Sequence, residues 1–233
     1  MSDNLRPFTP TELWEAFSAP HGSINKHLLL LYSLAVGVNA QRAIELGVGN
    51  STRALRAAMQ FTNGKLWSCD ADRDRFAGHA DADEHWSLAL CTSREFLPSL
   101  EPPFDFALHD GAHTYFDVVA DLRALLPLMR RYALVCIHDV QHSLLGEQMS
   151  HAVMDGVRGH PVSYVHLPFG FGMTVLRVEE SAHASISTPW TKDTDTFTVC
   201  IPNPMIPASA AVPHFYRYLP GRLKQAVHRV VRL

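Results

Sequence analysis

Ala43-Ile44-Glu45-Leu46-Gly47-Val48-Gly49-Asn50-Ser51-Thr52 is the stretch on which the reading of the 233-residue chain turns. A short apolar run carries an acid near its end, passes two glycines separated by one residue, and enters a segment opened by the capping types Asn50, Ser51 and Thr52. A strand, turn and helix of this kind sets unpaired helix N–H groups beside backbone that lacks Cβ atoms, so a ligand can lie close against it. Glu45 adds a negative charge that suits a cationic ligand better than a pyrophosphate. A dinucleotide turn would also carry a third glycine where Thr52 stands.

Outward from this turn, apolar runs of strand length alternate with helical ones. The candidate strands are Ala43 to Leu46, Lys65 to Cys69, Trp86 to Cys91, Phe104 to His109, Leu134 to His138, Val162 to Leu167 and Met173 to Val178. The alternation predicts an α/β fold with a doubly wound, seven-stranded, mostly parallel sheet. The connection Pro168-Phe169-Gly170-Phe171-Gly172 suits a final antiparallel hairpin.

Before the turn, Thr9-Pro10-Thr11-Glu12 is a helix start, with Thr9 as N-cap, Pro10 first in the helix and Glu12 at capping-box spacing. A second helix is expected from Ser23 to about Val38, too apolar to be solvated on all sides. Residues 1–40 then read as a helical cap, 41–180 as the α/β core and 181–233 as an extension, all within one domain. Residues 181–213 are rich in Ser, Thr, Pro and Ala, with one strand-like piece, Phe197 to Ile201. The last stretch, Phe215 to Leu233, is helical after Pro220-Gly221 and carries Arg217, Arg222, Lys224, Arg229 and Arg232 without an acid. Such a basic helix reads as a solvated cationic face with Leu223, Val227, Val230 and Val231 docked on the domain or a second subunit, or as a surface for a membrane, an acidic partner or RNA.

Net charge is −3 and the isoelectric point about 6.5, so no global field recruits nucleic acid. The start, Met1-Ser2-Asp3-Asn4, lacks a basic leader, and the longest apolar run, Leu28 to Val38, is too short to span a bilayer. Cys69, Cys91, Cys136 and Cys200 are far apart, without a C-x-x-C pair, which suits free thiols in a reducing compartment. A cytoplasmic protein without a transmembrane segment is expected. A homodimer is left open.

In an open parallel sheet, ligands bind beyond the carboxyl ends of the strands. The second strand ends at Asp70, where a carboxylate can accept both hydroxyls of a ribose; Asp72 is the substitute two residues on. The third is followed by Ser93, which reads equally as an N-cap and as a ligand contact. The fourth and fifth end in His109-Asp110-Gly111-Ala112-His113 and His138-Asp139-Val140-Gln141-His142. The pattern His-Asp-x-x-His occurs twice, at strand ends that would be neighbours about 4.8 Å apart, so four histidines and two carboxylates can converge. His109 also reads as a satisfied core residue, and His142 as the start of the next helix.

Glu45-Leu46-Gly47-Val48-Gly49 resembles the first motif of class I S-adenosylmethionine-dependent methyltransferases. Asp110-Gly111-Ala112-His113-Thr114-Tyr115, followed by an apolar strand ending His138-Asp139, is similar to methyltransferase family 24, a branch acting on small molecules and sugars, and distantly to catechol-type O-methyltransferases. The resemblance implies a Rossmann-like fold, S-adenosylmethionine as cofactor and methylation of a hydroxyl on a small molecule, sugar or glycan. It implies cofactor contacts from Glu45, Gly47, Gly49, Asn50, Ser51, Asp70, Asp72, Ser93 and Asp110. It further implies His113 as the base, with Asp110 and Asp139 beside it, and Asp110, His138 and Asp139 as ligands of Mg2+ or another divalent metal. The chain departs from the catechol-type pattern, which has lysine at His113 and an Asp-Asn or similar pair at His138-Asp139.

A neutral-range histidine suits removal of a hydroxyl proton during in-line attack on a sulfonium methyl. The alternatives are a metal-dependent hydrolase or oxygenase built on the paired His-Asp-x-x-His elements, and a non-catalytic adenosine-binding scaffold that presents the basic C-terminal helix. A nicotinamide oxidoreductase is disfavoured by Thr52.

Overall fold

The computed structural model describes residues 5–20, 23–76, 83–141 and 146–183. His142, Cys200, the strand-like Phe197 to Ile201 and the basic C-terminal helix lie outside the described residues.

Thr9 caps α1 (Pro10–Ser18) through the expected box: the Glu12 N–H donates to the Thr9 hydroxyl, and the Glu12 carboxylate accepts from the Thr9 N–H. The second helix enters as a 3₁₀ turn, Ile24–His27, before α2 (Leu28–Gly37). Seven strands follow: β1 (Arg42–Leu46), β2 (Lys65–Cys69), β3 (Trp86–Ala89), β4 (Phe104–His109), β5 (Met129–His138), β6 (Val162–Leu167) and β7 (Met173–Val178). Between them lie α3 (Asn50–Thr62), the short α4 (Arg73–Phe76) and α5 (Ser93–Phe96), then α6 (Tyr115–Leu125) and α7 (Gly146–Gly156). β5 begins five residues earlier than expected, because Met129 pairs with Phe104 across an irregularity in the ladder.

The sheet order is β3-β2-β1-β4-β5-β7-β6, with β7 antiparallel to both neighbours. Strand order therefore reverses between β1 and β4, and the carboxyl ends there open into the cleft predicted by the parallel topology. One face of the sheet packs Ile44, Ala107, Val135 and Leu176 against Val118 and Leu122 of α6 and Met149 and Ala152 of α7. The other packs Ala43, Leu66, Phe106 and Cys136 against Leu31 and Ala35 of α2 and Leu55 and Met59 of α3. Both faces are covered, which explains why the central strands are apolar runs without alternation. No helix among the described residues is long and apolar enough to cross a membrane.

Candidate active site

The glycine turn divides its labour unequally. Gly47 has φ of +89°, and a Cβ there would lie 2.2 Å from the Asp110 carbonyl oxygen, so only glycine lets β1 and β4 come this close at the switch point. Gly49 is extended and would place a Cβ in open space. Gly49 is also the N-cap of α3, and its N–H donates to the Thr52 hydroxyl at 3.0 Å.

Ser51 and Thr52 were expected to cap the helix or meet the ligand, but their hydroxyls donate inward to Glu45, each at 2.8 Å. Ser68 completes the set at 2.7 Å, because the parallel register sets it directly across from Glu45. Glu45 and Ser51 are buried beneath the turn. Burial pushes the Glu45 carboxyl up to about 7, against the three hydroxyls that hold it down. The expectation that Glu45 touches a cationic cofactor is therefore corrected: its oxygens are enclosed, and its geometry is that of a strut joining β1, β2 and α3.

A carboxyl raised from 4.5 to about 7 by folding stabilises the fold below 4.5 and loses that contribution as pH climbs through 7. Glu45→Gln is accordingly expected to flatten the decline of stability between those two values, read by urea unfolding over a pH series.

The cleft encloses about 610 Å³ at the switch point, lined by Gly47, Val48, Asp70, Ser93 and Asp110 among others. Asp70 Oδ2 accepts the Val48 N–H at 2.9 Å and Oδ1 the Asp72 N–H at 2.8 Å. Each oxygen keeps a lone pair for a hydroxyl, so the acid both pins the turn and faces the cleft. Asp72 is exposed and accepts the Arg75 N–H, which makes it a start signal for α4 instead of a wall of the cleft. The N-cap of α5 is Thr92 with Glu95, one residue before the expected Ser93; Ser93 is thereby left on the cleft side. Asn50 is exposed and bonds Asn25 at 3.0 Å.

The two His-Asp-x-x-His elements do not sit in register. His109 pairs with Ile137, so Asp110 stands opposite His138, and equivalent residues of the two motifs point to opposite faces. His109 is buried against Asp121 of α6 at 3.1 Å. The expected convergence of four histidines is therefore reduced among the described residues to two, His113 and His138, with Asp110 and Asp139.

His138 Nε2 donates to the Gly170 carbonyl at 3.0 Å, while Nδ1 lies 2.9 Å from Asp110 Oδ1 and 3.1 Å from Asp139 Oδ1. Burial opposes charge on this ring, but Asp110 and Asp139 outweigh it and raise its pKa. Both nitrogens are occupied, so the expected metal ligand His138 is instead tied to Asp110 by a hydrogen bond, with Asp139 at ion-pair distance. Asp139 adopts φ of +59°, a left-handed turn that aspartate tolerates better than most residues.

His113 Nε2 lies 3.1 Å from Asp139 Oδ2 and 3.9 Å from Asp110 Oδ1, and its side chain is 29% exposed. The Asp110 and Asp139 carboxylates beside the ring raise its pKa to about 9. Burial would raise the Asp110 carboxyl, yet His113 and His138 hold it below its ordinary value.

A divalent metal is tested by the same atoms. Asp110, His113 and Asp139 can each offer an atom within 4.8 Å of the others, and His113 Nε2 and Asp139 Oδ1 are buried without an aligned partner in the protein. Two carboxylates with one imidazole fit a divalent ion such as manganese, iron or zinc. The fitting set contains His113 in place of His138.

His27, which the sequence did not single out, reaches the site from the 3₁₀ turn. Its Nε2 donates to the Phe169 carbonyl at 2.8 Å, and its ring stacks on Phe169 with centroids 4.7 Å apart. Its centroid is also 5.2 Å from that of His138, edge to face. Gly170, with φ of +55°, accommodates this contact, since a Cβ there would lie 2.8 Å from His27 Nε2. The β6–β7 loop and the N-terminal cap thereby form one rim of the site. A lone histidine ahead of an apolar helix carries no local signal of this.

Residues 44–140 match a family model described as a methyltransferase domain. No curated protein matches the chain. Among solved structures, the chain is similar to the S-adenosylhomocysteine-bound methyltransferase PaMTH1 of Podospora anserina, at 15% identity and a TM-score of 0.56, covering 76% of this chain and 91% of that one. It is likewise similar to an O-methyltransferase from Bacillus cereus in complex with S-adenosylhomocysteine, at 14% identity and a TM-score of 0.54, covering 76% and 94%. The fold is that of these methyltransferase structures, and residues 44–140 are the part of the chain that matches the methyltransferase-domain model.

Proposed function

We propose that this domain transfers a methyl group from S-adenosylmethionine to a hydroxyl of a small molecule, a sugar or a glycan, with His113 taking the proton. The supporting observation is Asp110, which lines the cofactor cleft and also touches the His113, His138 and Asp139 cluster. In this reading Asp110 links the cofactor cleft to the base, so that the hydroxyl to be methylated would lie next to the donor methyl.

The cofactor lies across the switch point, its ribose hydroxyls on Asp70, its adenosine toward Ser93 and its methionine end over Gly47 and Val48. The acceptor enters from the side of His113, under the rim made by His27 and Phe169. In-line displacement needs alignment of donor and acceptor and one proton removed as oxygen attacks. Neutral His113 accepts that proton on Nε2, and the resulting imidazolium is stabilised by Asp110 and Asp139. His138 holds Asp110 in place by its hydrogen bond and adds charge beside Asp139. A divalent ion held by Asp110, His113 and Asp139 would take His113 out of the base role and supply, in its stead, Lewis-acid polarisation of the acceptor hydroxyl.

Binding of S-adenosylhomocysteine by calorimetry tests the cofactor assignment; no heat and no thermal shift at millimolar ligand would sink it. Asp70→Ala is expected to weaken that binding by about tenfold or more, since two hydroxyl contacts are lost. Release of S-adenosylhomocysteine with a panel of phenolic and sugar acceptors, with and without a chelator, tests the hydroxyl and the metal.

A further inference from the structure

The buried His109–Asp121 pair has no part in the proton transfer described above, yet Asp121 faces the cofactor cleft. It sits at the end of the second turn of α6, is 2% exposed, and lines the cleft together with Cys69, Cys91 and Ser93. Cys69 ends β2 and Cys91 follows β3, the strands on the far side of β1 from the His113 cluster. Burial, Cys91 and then Asp121 push the Cys69 thiol well above its ordinary range, which agrees with Asp121 standing against this end of the cleft. Only one hydrogen bond to Asp121 is formed among the described residues, from His109 Nε2 to Oδ2 at 3.1 Å. A buried acid with a fixed oxygen and a spare one beside a ligand cavity is a hydrogen-bond acceptor awaiting a donor.

We propose that Asp121, held by His109, accepts the exocyclic amino group of the cofactor's adenine and is the residue that selects adenine over a 6-oxo purine. The proposal rests on the cofactor reading given above. Asp70 fixes the ribose at the end of β2, so the attached base extends toward the end of β3, where Asp121 forms part of the wall. An amino group donates to a carboxylate, whereas a 6-oxo group meets it with like polarity, and a site built to pair one rejects the other. His109 is then a positioning residue. With Oδ2 bound to His109, the other oxygen is the one directed at the base.

The test compares S-adenosylhomocysteine with S-inosylhomocysteine by calorimetry. The wild-type protein is expected to prefer the amino ligand by about tenfold or more. In Asp121→Asn the side-chain oxygen remains committed to the His109 donor, so the amide NH₂ faces the cleft; the preference is expected to vanish or invert. Thermal melting without ligand checks that the variant folds. Equal binding of both ligands by the wild type overturns the proposal even if the variant does not fold. An undiminished preference in folded Asp121→Asn overturns it as well. Failure of the wild type to bind either ligand would instead overturn the cofactor reading. His109→Phe, which keeps bulk and removes the donor, is expected to weaken the preference several-fold with turnover at saturating cofactor retained.

Discussion

His113→Ala is expected to lower turnover by roughly 10²–10⁴-fold while S-adenosylhomocysteine affinity stays within about twofold of wild type. The ring lies against Asp139 and Asp110, beyond the cleft wall, so its removal takes away the proton acceptor and leaves Asp70, Gly47 and Val48 in place. The pH profile carries the sharper signature. Two flanking carboxylates raise His113 to about 9, so at neutral pH most of the enzyme holds it protonated. The metal-free enzyme should gain rate by close to tenfold per pH unit up to about 9 and then level off.

Stability should move the other way. A histidine raised from 6.5 to about 9 contributes stability that is complete below 6.5 and lost as pH rises through 9. Wild type should therefore lose stability across the window in which it gains rate, and His113→Ala should show neither trend from this group. An ion on Asp110, His113 and Asp139 competes with the proton, so added metal should shift the rate profile to lower pH and chelator should restore it. If His113→Ala abolishes cofactor binding while single-turnover chemistry survives, the base assignment is wrong.

Gly47→Ala is expected to cost about 3 kcal/mol or more, enough to leave much of a marginally stable domain unfolded. The backbone is left-handed there, and the added Cβ would meet the Asp110 carbonyl oxygen at 2.2 Å, backbone against backbone. Neither strand can yield without breaking the bond from the Asp110 N–H to the Leu46 carbonyl, 2.8 Å long, which closes the switch point. Gly49→Ala, two residues on, meets open space and should cost under about 1 kcal/mol. Urea unfolding of the two variants separates them; similar losses in both would refute the division of roles within the turn.

Much of the fold was legible because buried parallel strands are bounded apolar runs. β2, β4, β6 and β7 begin and end where the runs do. The first part of β5 was missed because Arg130, Arg131 and Tyr132 interrupt its apolar pattern, with Tyr132 at φ of +69°. In the site, Asp70 and Asp110 were readable from their position at strand ends, and both line the cleft.

By itself the sequence determined the elements, the glycine turn and the acids at the strand ends, since each rests on local pattern within a few residues. Tertiary structure alone decided which way those acids face and who their partners are. Pairing in the sheet put Ser68 opposite Glu45 and turned a proposed cofactor contact into a buried strut. A one-residue offset between β4 and β5 sent His109 to α6 and His138 to the site, although the two motifs read alike. The β6–β7 loop brought in His27 from 142 residues away. The physical reason is common to all three: side-chain direction alternates along a strand, so function at a sheet edge depends on register, which is fixed only when the strands pair.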